Sequence, residues 1–229
     1  MKRVLIYSLY KDDDIQRVRD AVKRSGFVLA AKNPQMVICM GGDGTLLRAE
    51  RSFPGVPKLM VRKSEVCKKC VNGSLQSILM KAQKKELFVK KYDKVEVIVK
   101  GKRMVAMNEI SVRNKDPRNA LRFTLQTSRK HGIGIIIGDG VVVATPFGST
   151  GYFHSITRRS FKSGLGIALN NATKEIKPMM VNKDTKVVVT IKRGDAHVCA
   201  DNNPQMLTIK QGEKATIKKA QGVARVVMV

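Results

Sequence analysis

The sequence predicts an open α/β domain at the N-terminus and a β-rich domain after it. Two observations predict this. The chain opens with an apolar run, a helical stretch and a second apolar run that breaks into Gly41-Gly42-Asp43-Gly44. Beyond about residue 88 it turns to short alternating or β-branched runs separated by turn residues. With 229 residues, 43% of them hydrophobic, the chain can bury one core or two.

The elements follow in order. Residues 3–9 form an apolar run suited to a buried parallel strand. Asp12 to Asp14 offer a helix cap, Ile15, Val18 and Val22 repeat at helical spacing, and Gly26 ends the helix. A second strand over 36–40 runs into the Gly-rich turn, and Thr45 to Arg51 make a short helix closed by Pro54. Strand, glycine turn and helix in this order place a site at the carboxyl end of the strand. Pro57 to Val61 reads as a third strand, and Ser74 to Lys85 as an amphipathic helix with Leu75, Ile78, Leu79 and Ala82 on one face. The β-rich part reads as strands over 92–99, 104–113, 121–127, 133–145, 186–192, 196–200, 206–210, 214–218 and 223–229. The division is 1–88 and 89–229, with a tail able to return to the first domain.

Charge narrows the partners. Forty-four Lys and Arg against eighteen Asp and Glu leave +26 at pH 7. Such a field gathers nucleotides, polyphosphate or other polyanions, and a solvated lysine-rich surface has the same composition. Nucleic acid is not favoured: aromatics are 5% of residues, and no basic–aromatic interleaving or nucleic-acid motif stands out. No segment approaches the roughly 18 apolar residues of a membrane span. The basic start is followed by only a short apolar stretch and then Asp12 to Asp14, which suits a first strand and not a signal peptide. Four cysteines without an export signal read as reduced thiols of a cytoplasmic protein.

Three segments carry chemistry. In Gly41-Gly42-Asp43-Gly44-Thr45 the glycines let backbone N–H groups approach phosphate oxygens, and the next helix adds its positive end. Asp43 is the acid of that turn, able to accept a hydroxyl proton or hold a metal ion, or simply to cap the helix. Asn108-Glu109 lies inside an apolar run. Strand neighbours face opposite ways, so both side chains reach one ligand only at a strand end or bulge. Glu109 can accept from a ribose hydroxyl pair, and Asn108 can donate and accept. Finally, Asp139-Gly-Val-Val-Val-Ala-Thr-Pro-Phe-Gly-Ser-Thr-Gly-Tyr152 sets an acid before an apolar strand, then a hydroxyl-dense turn ending in an aromatic. That turn offers N–H and O–H groups to phosphates or a base, and Tyr152 a ring to pack against one.

GGDGTLL at 41–47, MNEI at 107–110 and DGVVVATPFGSTGY at 139–152 together resemble the signature blocks of the NAD kinase family. The likeness covers most of residues 36–203, with Lys177-Pro178 and Ala200-Asp201-Asn202-Asn203 laid on the family's last strands. It implies an α/β domain, a C-terminal β-sandwich and an NAD site between subunits of a homodimer or homotetramer. It gives Asp43 the catalytic acid's place, as proton acceptor, with Gly41, Gly42 and Gly44 in the turn and Arg48 as a basic phosphate contact. Asn108, Glu109 and Asp139 take dinucleotide contacts, joined by Phe147, Thr150, Gly151, Tyr152, Ser155 and Asn203. No residue is assigned as a metal ligand, and Mg²⁺ is expected with the phosphate donor. The implied activity is phosphorylation of the adenosine-ribose 2′-hydroxyl of NAD, from ATP or polyphosphate. Two alternatives remain open: a lipid kinase of the diacylglycerol type, which shares the GGDGT turn, and a non-catalytic nucleotide- or RNA-binding protein.

The chain also departs from the family pattern. Gly151 stands where alanine is usual, Phe147 replaces a smaller residue and so narrows that part of the pocket, and Thr157-Arg158-Arg159 replaces a Gly-Gly-Pro segment. The family's second Gly-rich stretch gives way to residues 61–70, in which Cys67-Lys-Lys-Cys70 has CxxC spacing. That spacing suits half a zinc site or a redox pair, but no second cysteine or histidine pair completes a zinc site, and plain thiols are the preferred reading. His131, His154 and His197 form no triad by spacing.

Overall fold

A computed structural model describes residues 3–9, 13–61, 75–84, 86–128 and 130–228. Cys67 and Cys70 lie outside these. The chain divides into two compact units, one of residues 1–92 and 223–229, the other of residues 93–222.

The first unit is an open parallel sheet. Strands β1 (Arg3–Ser8), β2 (Val28–Leu29), β3 (Met36–Met40) and β4 (Lys58–Val61) lie in the order β2-β1-β3-β4. Helices α1 (Asp13–Arg24), α2 (Asp43–Ser52) and α3 (Leu75–Gln83) belong to it. Every residue of β3 is buried, as a central parallel strand requires. Val18 and Val22 of α1 and Ile78 and Leu79 of α3 share one core with Val4, Ile38 and Leu59. Val226 pairs in parallel with Lys58, so residues near 226 extend the sheet beyond β4.

The second unit is a sandwich of antiparallel strands. Strands β5 (Phe88–Val99), which begins in the first unit, β6 (Lys102–Ala106), β7 (Glu109–Asn114), β8 (Leu121–Thr127), β9 (Lys130–Gly138) and β10 (Gly140–Ala144) precede a short helical turn, α4 (Tyr152–Thr157). Strands β11 (Leu165–Asn170), β12 (Met179–Val181), β13 (Val187–Arg193), β14 (Ala196–Ala200), β15 (Leu207–Ile209) and β16 (Lys214–Met228) follow. One sheet has the order β12-β11-β10-β7-β14-β15. The other contains β16-β13-β8-β9, with β5 hairpinned to β6. Alternate residues from both sheets, among them Ile110, Val112, Val141, Ile167, Val198, Phe123, Val189 and Ile217, form one buried core. The expected α/β and β-sandwich classes are therefore both present.

Several element boundaries differ from the expectation. The run 104–113 is two strands broken at Met107-Asn108, and the run 133–145 is two strands broken at Asp139. The runs 214–218 and 223–229 fall in one strand, β16, which continues through Gly222 despite its φ of +78° as far as Met228. Strands β2, β11 and β12 and helix α4 join them; the first and third are two and three residues long, too short for a periodicity. Among the described residues no helix is long and apolar enough to cross a membrane.

Candidate functional site

In the first unit the site is the join of β3 and α2. The helix begins at Asp43 with Gly42 as its N-cap, so the acid stands in the first turn rather than in the loop before it. There its charge meets the positive end of the helix. Gly41 has φ +146°, and a Cβ on it would fall 2.3 Å from Thr45 Oγ1, so only glycine lets Thr45 fold back on the turn. Asp43 Oδ1 is buried without a hydrogen-bond partner. Arg48 is exposed on α2. Behind the turn, Lys58 of β4 forms a buried ion pair with Glu50, whose other oxygen accepts the Gly55 N–H at 3.0 Å. This ties the end of α2 to β4. Cys39 of β3 is buried beside them, and burial pushes its thiol up to about 12, leaving it inert.

In the second unit the site is the break between β6 and β7. Asp201, at the end of β14, accepts the backbone N–H groups of Met107 at 2.6 Å, Asn108 at 2.8 Å and Glu109 at 3.1 Å. Its own N–H donates to the Glu109 carbonyl at 3.1 Å. From the other side, Thr145 donates its N–H to the Asn108 carbonyl at 2.8 Å and its hydroxyl to the Met107 carbonyl at 2.6 Å. The Thr145 hydroxyl also accepts the Gly148 N–H at 3.2 Å, which starts the turn of the third block. A Cβ on Gly148 would fall 2.3 Å from the Asn108 carbonyl oxygen, so glycine is required where the turn crosses the break. A Cβ on Gly151 would lie 3.7 Å from Glu109 Oε2 and 3.8 Å from Asn108 Nδ2, so both side chains reach the same point of that turn.

The chemistry of this pair is unusual. Asn108 Oδ1 and Glu109 Oε2 are buried with no hydrogen-bond partner, an arrangement that costs stability unless something else supplies the bonds. Burial, and then the charge of Asp201, pushes the Glu109 carboxyl up to about 8. Tyr152 stands half-buried at the start of α4 with the Arg113 guanidinium 5.9 Å from its ring centre. Thr150 is exposed on the turn, and Ser155 is exposed with its hydroxyl on the Tyr152 carbonyl at 2.7 Å. Asn203 follows Asp201, its side-chain oxygen accepting the Gln205 N–H at 3.1 Å. Phe147 is buried.

Asp139 is set apart. On the β7–β10 ladder Glu109 lies opposite Ala144, while Arg113 lies opposite Gly140. Asp139 is thus beyond the far end, roughly 15 Å or more from the Glu109 position. Its carboxylate accepts the side-chain amides of Asn171 at 2.7 Å and Asn114 at 3.4 Å. Sequence reasoning assigned no role to Asp201, Thr145 or His197. Strand alternation on β7 and the β7–β14 register put His197 on the sheet face of Glu109 and Arg113, and its Nδ1 is buried without a partner. The third block does contain Thr145, but a threonine before proline carries no signal of this bonding.

Fold and site together define a two-unit protein with a glycine-rich turn opening a helix in its α/β unit and an orphaned carboxylate–amide pair in its sandwich. The family model described as ATP-NAD kinase C-terminal domain matches residues 107–229, more than half of the chain. The chain belongs to the NAD kinase family. Among curated relatives, an NAD kinase of Sulfurisphaera tokodaii is 30% identical over 143 residues, which are 62% of this chain and 56% of the relative. An NAD kinase of Picrophilus torridus is 28% identical over 174 residues, 74% of this chain and 62% of the relative. A bifunctional NADP phosphatase/NAD kinase of Methanococcus maripaludis is 24% identical over 210 residues, 82% of this chain and 35% of the relative. The chain therefore spans only about a third to three fifths of these relatives' lengths. Its fold is that of an Archaeoglobus fulgidus NAD kinase solved with ATP, with TM-score 0.83, 22% identity, and 99% of this chain and 93% of the other covered. It is also that of a yeast NADH kinase solved with NADH, with TM-score 0.84, 13% identity, and 100% and 84% covered.

Proposed function

We propose that this protein phosphorylates the 2′-hydroxyl of the adenosine ribose of NAD to give NADP, with ATP or polyphosphate as donor. The observation that carries the proposal is the buried, unpartnered pair Asn108 Oδ1 and Glu109 Oε2 beside Gly151. A ribose hydroxyl pair supplies the hydrogen bonds both oxygens lack, and Thr150 and Tyr152 stand on the same turn to meet the base or ribose. Asp43, with its own unpartnered oxygen, accepts the proton of the attacking hydroxyl, which raises the nucleophile's charge as the phosphoryl group transfers. Gly41, Gly42, Gly44 and Arg48 serve the donor phosphates. Among the described residues no group of three His, Cys, Asp or Glu is gathered to hold a metal ion. Mg²⁺ arriving with the donor phosphates would offset their charge at this turn, beside Asp43.

Asp139 in this reading acts on the dinucleotide from a second copy of the chain, which makes the working form a homodimer or homotetramer. The free thiols of Cys39 and Cys199 support a cytoplasmic location in this reading. A coupled NADP-forming assay with NAD, Mg²⁺ and either ATP or polyphosphate tests the reaction. Absence of NADP with both donors, together with no calorimetric heat from NAD or NADP, would refute it.

A further inference from the structure

We propose that Asp201 is the positioning residue of the dinucleotide site, holding the break between β6 and β7 in the one backbone arrangement that turns Asn108 and Glu109 toward the same ligand. The inference rests on the dinucleotide reading of that pair.

Adjacent residues of a strand project from opposite faces. Asn108 and Glu109 are adjacent, yet Asn108 Nδ2 and Glu109 Oε2 both approach the Gly151 position within 4 Å. Only an interrupted ladder permits this, and interruption strips Met107, Asn108 and Glu109 of sheet partners for their N–H groups. Buried N–H groups need acceptors. Asp201 supplies all three from one carboxylate, Oδ2 to Met107 and Oδ1 to Asn108 and Glu109. An ionised carboxylate suits this task because both of its oxygens only accept and its charge shortens the bonds. Asp201 itself has φ +49°, a left-handed conformation that aspartate tolerates, and its N–H returns to the Glu109 carbonyl. The clamp is thus closed in both directions across more than ninety residues of sequence.

The same carboxylate faces Glu109 from the end of β14 and opposes its ionisation. Arg113 and His197 stand further along that sheet face, and Asn108 and Gly151 are the neutral groups beside Glu109. Asp201 therefore sets the geometry of the pair and, after burial, adds to what keeps Glu109 protonated.

The test is Asp201→Asn, which keeps the shape but has one acceptor oxygen and turns an NH₂ toward the Met107 N–H or toward those of Asn108 and Glu109. NAD is titrated calorimetrically into wild type and variant across the range from about pH 6 to 9, with thermal melts as a control for folding. A folded variant should bind NAD at least about tenfold more weakly, with an unchanged donor KM and the pH midpoint of NAD binding moved downward. A folded variant with wild-type affinity and midpoint overturns the proposal. If wild type itself shows no NAD heat, the dinucleotide reading has failed, and amide exchange then decides the clamp separately. The same measurement decides it if the variant does not fold. Slow exchange at Met107, Asn108 and Glu109 in wild type supports the clamp, and fast exchange at neutral pH overturns it.

Discussion

Glu109 sits where burial and the charge of Asp201 both work against its ionisation, so its carboxyl titrates near 8 in the fold against about 4.5 for a free side chain. Between those values the folded chain holds a proton that the unfolded chain has released. Unfolding then releases protons, so this group's contribution to stability falls as pH rises from about 4.5 to about 8 and is flat on either side. Glu109→Gln removes the titration. Its melting temperature should gain on wild type across that window and stay parallel beyond it, as ligand-free melts at stepped pH will show. Binding has the opposite sign. If the ionised carboxylate accepts the ribose hydroxyls, NAD affinity should rise as pH increases toward and through 8 in wild type and be flat in the glutamine variant. Asp43 makes a different prediction. Asp43→Asn keeps the shape but accepts no proton, so turnover should drop by at least about a hundredfold while NAD affinity changes little. Steady-state kinetics alongside calorimetry separates the two, and near-normal turnover would take Asp43 out of the base role.

Turns decide the site at the level of elements, and two glycines that differ in how strictly they are required show it. Gly148→Ala would put a methyl group 2.3 Å from the Asn108 carbonyl oxygen. The backbone at the β6–β7 break must move, so the variant should lose roughly 1–3 kcal/mol of stability and most of its NAD affinity. Gly151→Ala meets nothing closer than the Gly148 carbonyl at 3.3 Å and has an ordinary φ of −96°. Its stability should stay within about 1 kcal/mol of wild type. Denaturant midpoints and NAD titrations of the two variants check the ordering. Elements with strong local patterns were legible in the sequence: β1, α1, β3, α2 and α3 follow from apolar runs, helical spacing and glycine stops. The break at Met107-Asn108 was not. The run 104–113 has a strand's composition throughout, and what interrupts it is a carboxylate more than ninety positions away. Likewise Asp139 belongs to a readable block, but the β7–β10 register that carries it to the far end of the ladder is a tertiary fact. Strand β11 escaped because Gly166 and Ala168 dilute its alternation; Gly166 has room only for a hydrogen against Phe161 and Phe153.

For the whole molecule the charge of +26 is the property with the widest reach. If that field serves the donor, added salt should raise the donor KM, because exposed charges are screened over about 8 Å at physiological ionic strength. Polyphosphate should be affected more than ATP. A donor KM flat across salt would return the lysines to mere solvation. The proposed assembly is open to a complementation test. Mixing Glu109→Ala with Asp139→Asn protein should restore NADP formation if Asp139 acts across copies, and leave it absent if both act within one. One feature of chain order bears on how the protein is made. The α/β unit is not contiguous: residues 223–229 belong to it, with Ala224, Val226 and Val227 buried and Val226 paired to Lys58. A ribosome delivers those residues only after all of 93–222, so the sandwich has its full sequence in hand while its neighbour still waits for a strand. During synthesis the edge of β4 that β16 will cover is therefore bare, and nascent chains stalled before residue 223 should be the protease-sensitive ones.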